Sequence, residues 1–163
     1  MFLSIGSNKG KRFENIKKSI LLIKSQSDIK FIKKSNIYET EPMYNISQDY
    51  FLNMVILIKT KLNPENLLQF TQSVEKKIGR INIEKRKNQP REIDIDILTY
   101  DNKNISTDNL IIPHPKAHER VFVLKPWSEI VPDFKLYNMQ ETISELLLNL
   151  SINSKTIKYY TEI

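Results

Sequence analysis

Apolar residues change their spacing several times along this chain, and each change marks an element. Residues 1–5 form a short apolar run that reads as a buried strand, and the polar stretch from Gly6 to Lys11 reads as a loop. Phe13, Ile16, Ile20 and Ile23 then recur at helical spacing and predict a helix over 12–26. Residues 29–39 read as one strand that enters a polar loop at Thr40-Glu41-Pro42. The run from Phe51 to Lys59 is β-rich and apolar on both faces, the pattern of a central strand. Asn63-Pro64-Glu65 supplies an N-cap, a proline at the first helical position and a first-turn acid. Leu67, Thr71, Val74 and Ile78 line one face of that helix, and Gly79 stands where a C′ glycine belongs.

Residues 80–90 carry many charges and no clear period, which predicts a long, functional loop. Glu92-Ile93-Asp94-Ile95-Asp96-Ile97 alternates strictly and predicts a strand. Asp101 to Asn104 read as a turn, and Pro113 and Pro115 make 112–119 irregular. Helices are predicted near 119–130 and 140–150, with 156–160 either a last strand or a frayed end. Intermixed strands and helices of this kind predict a two-layer α/β sandwich around a mixed sheet.

A chain of 163 residues suits a single domain, here 1–163, and its length buries roughly 70% of the unfolded surface without staples. Cysteine is absent, which excludes disulfides, thiolate metal sites and cysteine nucleophiles. Two histidines exclude a three-histidine metal site. The three glycines, Gly6, Gly10 and Gly79, fit neither a Walker loop nor a dinucleotide fingerprint. No apolar run approaches 18 residues, and the first residues lack a signal-like core, so a soluble cytoplasmic protein is expected, with no membrane partner. The net charge of +6 comes mostly from scattered lysines, the pattern of a solvated surface rather than a nucleic-acid patch. Arginine is scarcer, and Arg80, Arg86 and Arg91 crowd one stretch, with Arg120 further on. Only arginine presents a planar fork to phosphate.

Asp94 and Asp96 carry the sharpest chemical signal. Alternate side chains of a strand share a face, with Cα atoms about 6.6 Å apart, while Ile93, Ile95 and Ile97 anchor the other face. A wetted strand face would look the same, but Arg91 lies three residues before Asp94, and two close carboxylates ask for a cation. Hard oxygen ligands favour Mg²⁺ or Ca²⁺ over zinc. Arginines around a metal–carboxylate pair suit a triphosphate. His114, held between prolines, suits a ligand-facing imidazole, whereas Pro115 argues against a shared helical zinc face with His118. Gln72 and Glu75 share a face of the helix that begins at Pro64.

These residues together resemble a known family, the 6-hydroxymethyl-7,8-dihydropterin pyrophosphokinases. The resemblance runs from Phe2 to about Pro132. It is carried by Ile5-Gly6-Ser7-Asn8, Tyr38-Glu39-Thr40-Glu41-Pro42, Phe51-Leu52-Asn53, Glu75 with Gly79-Arg80, Pro90 to Leu98, Pro113-His114 and Arg120-Val121-Phe122. Glu41 stands where many members have proline, Gln89 where glycine is common and Pro115 where tyrosine is frequent.

The resemblance implies a ferredoxin-like α/β fold and transfer of the β,γ-pyrophosphoryl group of ATP to the pterin hydroxymethyl oxygen, releasing AMP. It implies that Asp94 and Asp96 bind two Mg²⁺ ions and that Arg80, Arg91, His114 and Arg120 hold the triphosphate, with Arg86 a further candidate. It implies that Phe51 and Phe122 stack on the pterin ring, that Asn53 bonds its edge, and that Thr40 and Met43 offer backbone groups. Gln72 and Glu75 would belong to the nucleotide site, and Ile97 and Ile111 would lie beside the adenine. A monomer without nucleic-acid partners is the matching expectation.

Two rival readings frame that expectation. A nucleic-acid-binding ferredoxin-like module would show stacked aromatics and a basic-glycine-aromatic signature on a central strand, and neither 51–59 nor 93–99 has them. A two-metal nucleotidyltransferase could use the same Asp94-Asp96 pair. It would release pyrophosphate instead of AMP.

Overall fold

The computed structural model of the chain describes residues 1–43, 48–79, 89–137, 139–151 and 158–160. Its centre is the sheet the apolar runs predict. Strand β4 (Phe51–Thr60) lies between β1 (Phe2–Ser7) on one side and β2 (Ile29–Lys34) with β3 (Ile37–Thr40) on the other. Strand β5 (Asp94–Thr99) forms one edge beside β1, and β8 (Lys158–Tyr160) forms the other beside β3. Every pairing among the described residues is antiparallel. A short ribbon, β6 (Ile105–Ser106) with β7 (Ile111–Ile112), stands apart.

Helices α1 (Arg12–Lys24) and α2 (Pro64–Ile78) cover one face. Their Ile16, Ile20, Ile23, Leu67 and Val74 pack on Leu3, Ile5, Met54, Ile56, Ile95 and Ile97 of the sheet. The α2 boundaries follow the caps: Asn63 Oδ1 accepts from Asn66 N at 2.8 Å, and Gly79 closes the helix at φ 121°. Helices α3 (Val121–Ile130) and α4 (Ile143–Ser151) pack on the other face, so the predicted sandwich gains a partial third layer. There Trp127, Val123 and Leu124 meet Phe2, Val55 and Leu98.

Three boundaries differ from the sequence reading, for one shared reason: side chains take over backbone groups. The strand predicted over 29–39 breaks at Ser35, whose N–H donates to Val55 O at 2.9 Å while its hydroxyl accepts from Val55 N at 3.0 Å. The strand predicted from Glu92 begins at Asp94, because the Glu92 carbonyl accepts from Ser7 Oγ at 2.6 Å and from Asn15 Nδ2 at 3.0 Å. The helix predicted from 140 begins at Ile143, fixed by a reciprocal capping box. In it Thr142 N donates to Glu145 Oε2 at 2.8 Å, and Glu145 N to Thr142 Oγ1 at 3.2 Å. The last strand does form, as β8.

The second sheet face changes character along its length. Phe2, Val55 and Leu98 are apolar at the end under α3 and α4. At the other end, the same face carries Gly6, Asn53, Asp94 and Asp96 in adjoining register: Gly6 pairs with Asn53 and Asp94, and Ser4 with Val55 and Asp96.

Candidate active site

Strict alternation sets the two aspartates. Ile93, Ile95 and Ile97 are buried in the first core, and Asp94 and Asp96 turn to the polar end of the opposite face with their side chains 24% and 36% exposed. Glu75 on α2 is buried and accepts from Ile95 N at 2.7 Å, so a carboxylate satisfies a donor on the outer edge of β5 between the two aspartates. Gln72, one turn earlier, is half-buried.

Cationic groups reach this pair from three segments. Arg91 Nη1 bonds Asp94 Oδ2 at 2.7 Å. Arg120 precedes α3, and its Nη1 lies 3.7 Å from Asp96 Oδ2. Its Nε is buried without a partner, an orphaned donor beside a polar face. His114 Nε2 lies 3.9 Å from Asp96 Oδ2. The imidazole is anchored because His114 N donates to Leu98 O at 2.9 Å, where β5 carries a bulge opposite β1.

Electrostatics distinguish these groups. Burial, followed by the charge of Asp94, pushes the Asp96 carboxyl up to about 7. Burial, followed by the charge of Arg120, pushes His114 down to about 4, so the ring is neutral near pH 7. Its Nδ1 accepts from Lys116 N at 3.1 Å, which leaves the proton on Nε2, the nitrogen that faces Asp96. His114 is thus a neutral donor and Arg120 a charged one.

On the adjoining part of the face, Asn53 is buried and its Nδ2 donates to Thr40 Oγ1 at 2.8 Å. Phe51, two residues before Asn53, is partly exposed. Phe122 is also partly exposed, and the Arg120 Cζ lies 5.6 Å from its ring centre. Met43 is exposed, at the edge of this region's described residues.

The predicted adenine neighbours are placed differently from each other: Ile97 lies in the core and Ile111 is 49% exposed. Arg80 and Arg86, with the rest of the loop predicted over 80–90 up to 88, lie outside the described residues.

Sequence reasoning missed Asn8 as a site residue. It is almost fully buried, its Oδ1 accepts from Arg91 N at 2.8 Å, and its Nδ2 donates to Gln48 Oε1 at 2.9 Å. The available signal was a polar Ser7-Asn8 pair directly after a buried strand.

An α/β sandwich presenting paired carboxylates, two arginines and a neutral histidine on one open sheet face has the features of a phosphoryl-transfer enzyme. Comparison with known proteins gives the family. Residues 2–132 match 7,8-dihydro-6-hydroxymethylpterin-pyrophosphokinase, and the chain belongs to that family. It is 43% identical over 129 residues to the 2-amino-4-hydroxy-6-hydroxymethyldihydropteridine pyrophosphokinase of Bacillus subtilis, covering 79% of this chain and 76% of that protein. It is 36% identical over 149 residues to the enzyme of the same name in Methylorubrum extorquens, covering 91% and 92%. The folate synthesis bifunctional protein of Arabidopsis thaliana is 40% identical over 129 residues, 79% of this chain but 26% of that longer one. In fold, the chain matches the Plasmodium falciparum HPPK-DHPS structure with pterin and p-hydroxybenzoate at a TM-score of 0.70 and 18% identity, covering 91% of this chain and 42% of that one.

The chain is therefore a pyrophosphokinase of folate synthesis, with ATP and the hydroxymethyl-dihydropterin as its substrates. The nucleic-acid-module and nucleotidyltransferase readings are not favoured. Among the described residues no helix is long and apolar enough to cross a membrane.

Proposed function

We propose that residues 1–163 work as one monomeric, cytoplasmic domain in which the polar end of the second sheet face holds both substrates and aligns them for in-line transfer. The hydroxymethyl oxygen of the pterin attacks the β-phosphorus of ATP. A new O–Pβ bond forms, the bond from Pβ to the oxygen bridging it to the α-phosphate breaks, AMP leaves with that oxygen, and the hydroxyl proton goes to solvent. Such a transfer depends on positioning and charge neutralisation more than on covalent help from the protein.

The observation that carries this assignment is the convergence of Arg91, His114 and Arg120 on Asp94 and Asp96 from three separate segments. Arg91 and Arg120 bind triphosphate oxygens, the buried Arg120 Nε supplying a donor that protein groups leave free. His114 donates from Nε2 without adding charge. Asn53, Thr40 and Met43 specify the pterin edge, and Phe51 and Phe122 cover its faces. Gln72, Ile97 and Ile111 belong to the nucleotide side, and Glu75 positions β5 through the Ile95 amide. Arg80 and Arg86 complete the set of phosphate-binding candidates.

The donor set also fits Mg²⁺. Among the described residues no cluster of three or more His, Asp or Glu could hold a metal by itself. Magnesium characteristically takes one or two carboxylates, completing its shell with water and substrate phosphates. The raised Asp96 carboxyl beside Asp94 marks a place short of positive charge. Asp94 and Asp96 would hold two such ions, which when bound with ATP neutralise charge on the transferring group.

The test is product analysis with ATP, Mg²⁺ and 6-hydroxymethyl-7,8-dihydropterin. AMP and the pterin diphosphate should appear in equal amounts. Free pyrophosphate in place of AMP would refute the reaction and point to nucleotidyl transfer.

A further inference from the structure

We propose that Asn8 is a positioning residue that couples the pterin side of the site to its phosphate side, so that binding of one substrate strengthens binding of the other. The inference rests on the assignment of Phe51 and Asn53 to the pterin and of Arg91 to the triphosphate. Asn8 follows β1 directly and is 1% exposed. Its hydrogen-bonding groups reach two segments distant in sequence. Toward the phosphate side, Asn8 N donates to Arg91 O at 3.1 Å, and Asn8 Oδ1 accepts from Arg91 N at 2.8 Å. These two bonds clamp the backbone of the residue whose guanidinium holds Asp94. Toward the pterin side, Asn8 Nδ2 donates to Gln48 Oε1 at 2.9 Å and approaches Asp49 O at 3.4 Å. Gln48 and Asp49 lead directly into Phe51 and Asn53.

A single rigid amide therefore joins the entrance of β4 to the entrance of β5. Neighbouring side chains stiffen both ends. Arg12 Nη1 donates to Tyr50 O at 2.5 Å, and Ser7 Oγ and Asn15 Nδ2 hold the Glu92 carbonyl. A ligand that orders residues 48–51 fixes the Asn8 amide, which removes part of the ordering cost at Arg91 for the second ligand. Coupling of this kind is reciprocal. Asparagine suits the place because one planar group supplies an acceptor on one side and donors on the other. Aspartate keeps the acceptor for Arg91 N but sets oxygen against Gln48 Oε1 and Asp49 O.

The experiment compares the native chain with Gln48→Ala, Asn8→Asp and the double variant. Calorimetric titration gives the affinity of a non-hydrolysable ATP analogue, in Mg²⁺ buffer, with and without 6-hydroxymethyl-7,8-dihydropterin. The ratio of the two affinities is the coupling factor. The native chain should show coupling of about fivefold or more. Gln48→Ala, which leaves the Arg91 clamp intact, should bring the factor close to one while changing affinity for the analogue alone by less than about twofold. The double variant should lose no more coupling than either single one, as expected for two ends of one connection. The kcat of Gln48→Ala should fall more than its KM for ATP rises. Native coupling in Gln48→Ala overturns the inference, as does a native chain without coupling, and AMP formation by the native chain would leave the reaction itself standing. A native chain that binds neither ligand overturns the substrate assignments as well.

Discussion

Gly6 is the antiparallel partner of both Asn53 and Asp94, and a Cβ on Gly6 would stand 2.9 Å from Asn53 Oδ1. The missing side chain thus leaves room for a buried amide in the row that joins the proposed pterin contact to the first aspartate. The three atoms nearest that Cβ, Asn53 Oδ1, Phe51 Cδ1 and Leu52 O, all belong to β4. None belongs to the strand of the aspartates.

Gly6→Ala should therefore act on the pterin side. The new methyl must displace the Asn53 amide from its bond to Thr40 Oγ1, an overpacking cost of about 1–3 kcal/mol. Thermal unfolding should show that loss. Calorimetry should show weaker pterin binding with little change for the ATP analogue. Equal weakening of both ligands would mean that Gly6 serves the sheet as a whole.

Phe122→Ala separates a stacking role from a core role. Phe2 is buried against Trp127 and Phe134, with ring centres 5.3 and 5.2 Å away. Truncating Phe2 should cost about 3–5 kcal/mol. Phe122 is only partly buried at the margin of the same cluster and lies beside Arg120. Its truncation should cost less stability than that of Phe2 and should raise the pterin dissociation constant. Unfolding as severe as that of Phe2→Ala would return Phe122 to the core.

What the sequence disclosed depended on whether periodicity carried the information. Asp94 and Asp96 were legible because isoleucines alternate with them, and the burial of Ile93, Ile95 and Ile97 follows from that alternation. The central position of β4 was legible for the same reason, as an apolar run on both faces. Where hydrogen bonds from side chains decide the structure, periodicity is silent. The Ser35 break, the delayed start of β5 and the role of Asn8 depend on contacts between residues 20 to 85 positions apart. Glu75 shows the same limit: its place beside Gln72 on a helix face suggested the nucleotide, while its carboxylate holds the Ile95 amide.

Glu129 belongs to a second polar cluster that sequence reading did not find, and its prediction is purely structural. Its carboxylate accepts from Asn36 N at 3.0 Å, Asn36 Nδ2 at 2.5 Å and Tyr38 OH at 3.0 Å, closing the gap between β2 and β3. It lies near the C-terminal end of α3, about 13 Å along the helix axis from Arg120 at the other end. Glu129→Ala leaves those donors without their acceptor and should destabilise the fold by about 1–3 kcal/mol. Below the unfolding transition, turnover per folded molecule should stay near native. A specific loss of turnover would connect this cluster to the site.

Asp96→Asn tests the carboxylate pair most directly. The side chain points away from the isoleucine core, so the substitution removes no apolar packing. It also removes a largely desolvated carboxylate facing Asp94, a repulsion that costs the metal-free fold stability. The melting temperature without metal should therefore equal or exceed the native value. Turnover should behave oppositely. The amide keeps the shape but offers a neutral oxygen where a charged ligand is required, and the loss should reach at least the roughly 10²–10³-fold typical of one missing transition-state contact. Raising Mg²⁺ should not restore it, because the deficit lies in the ligand rather than in occupancy. The checks are unfolding in chelator and initial rates across a Mg²⁺ series at saturating ATP. Near-native turnover at high Mg²⁺ would remove Asp96 from the metal assignment, and a fall in melting temperature like that of a core truncation would make it a structural residue.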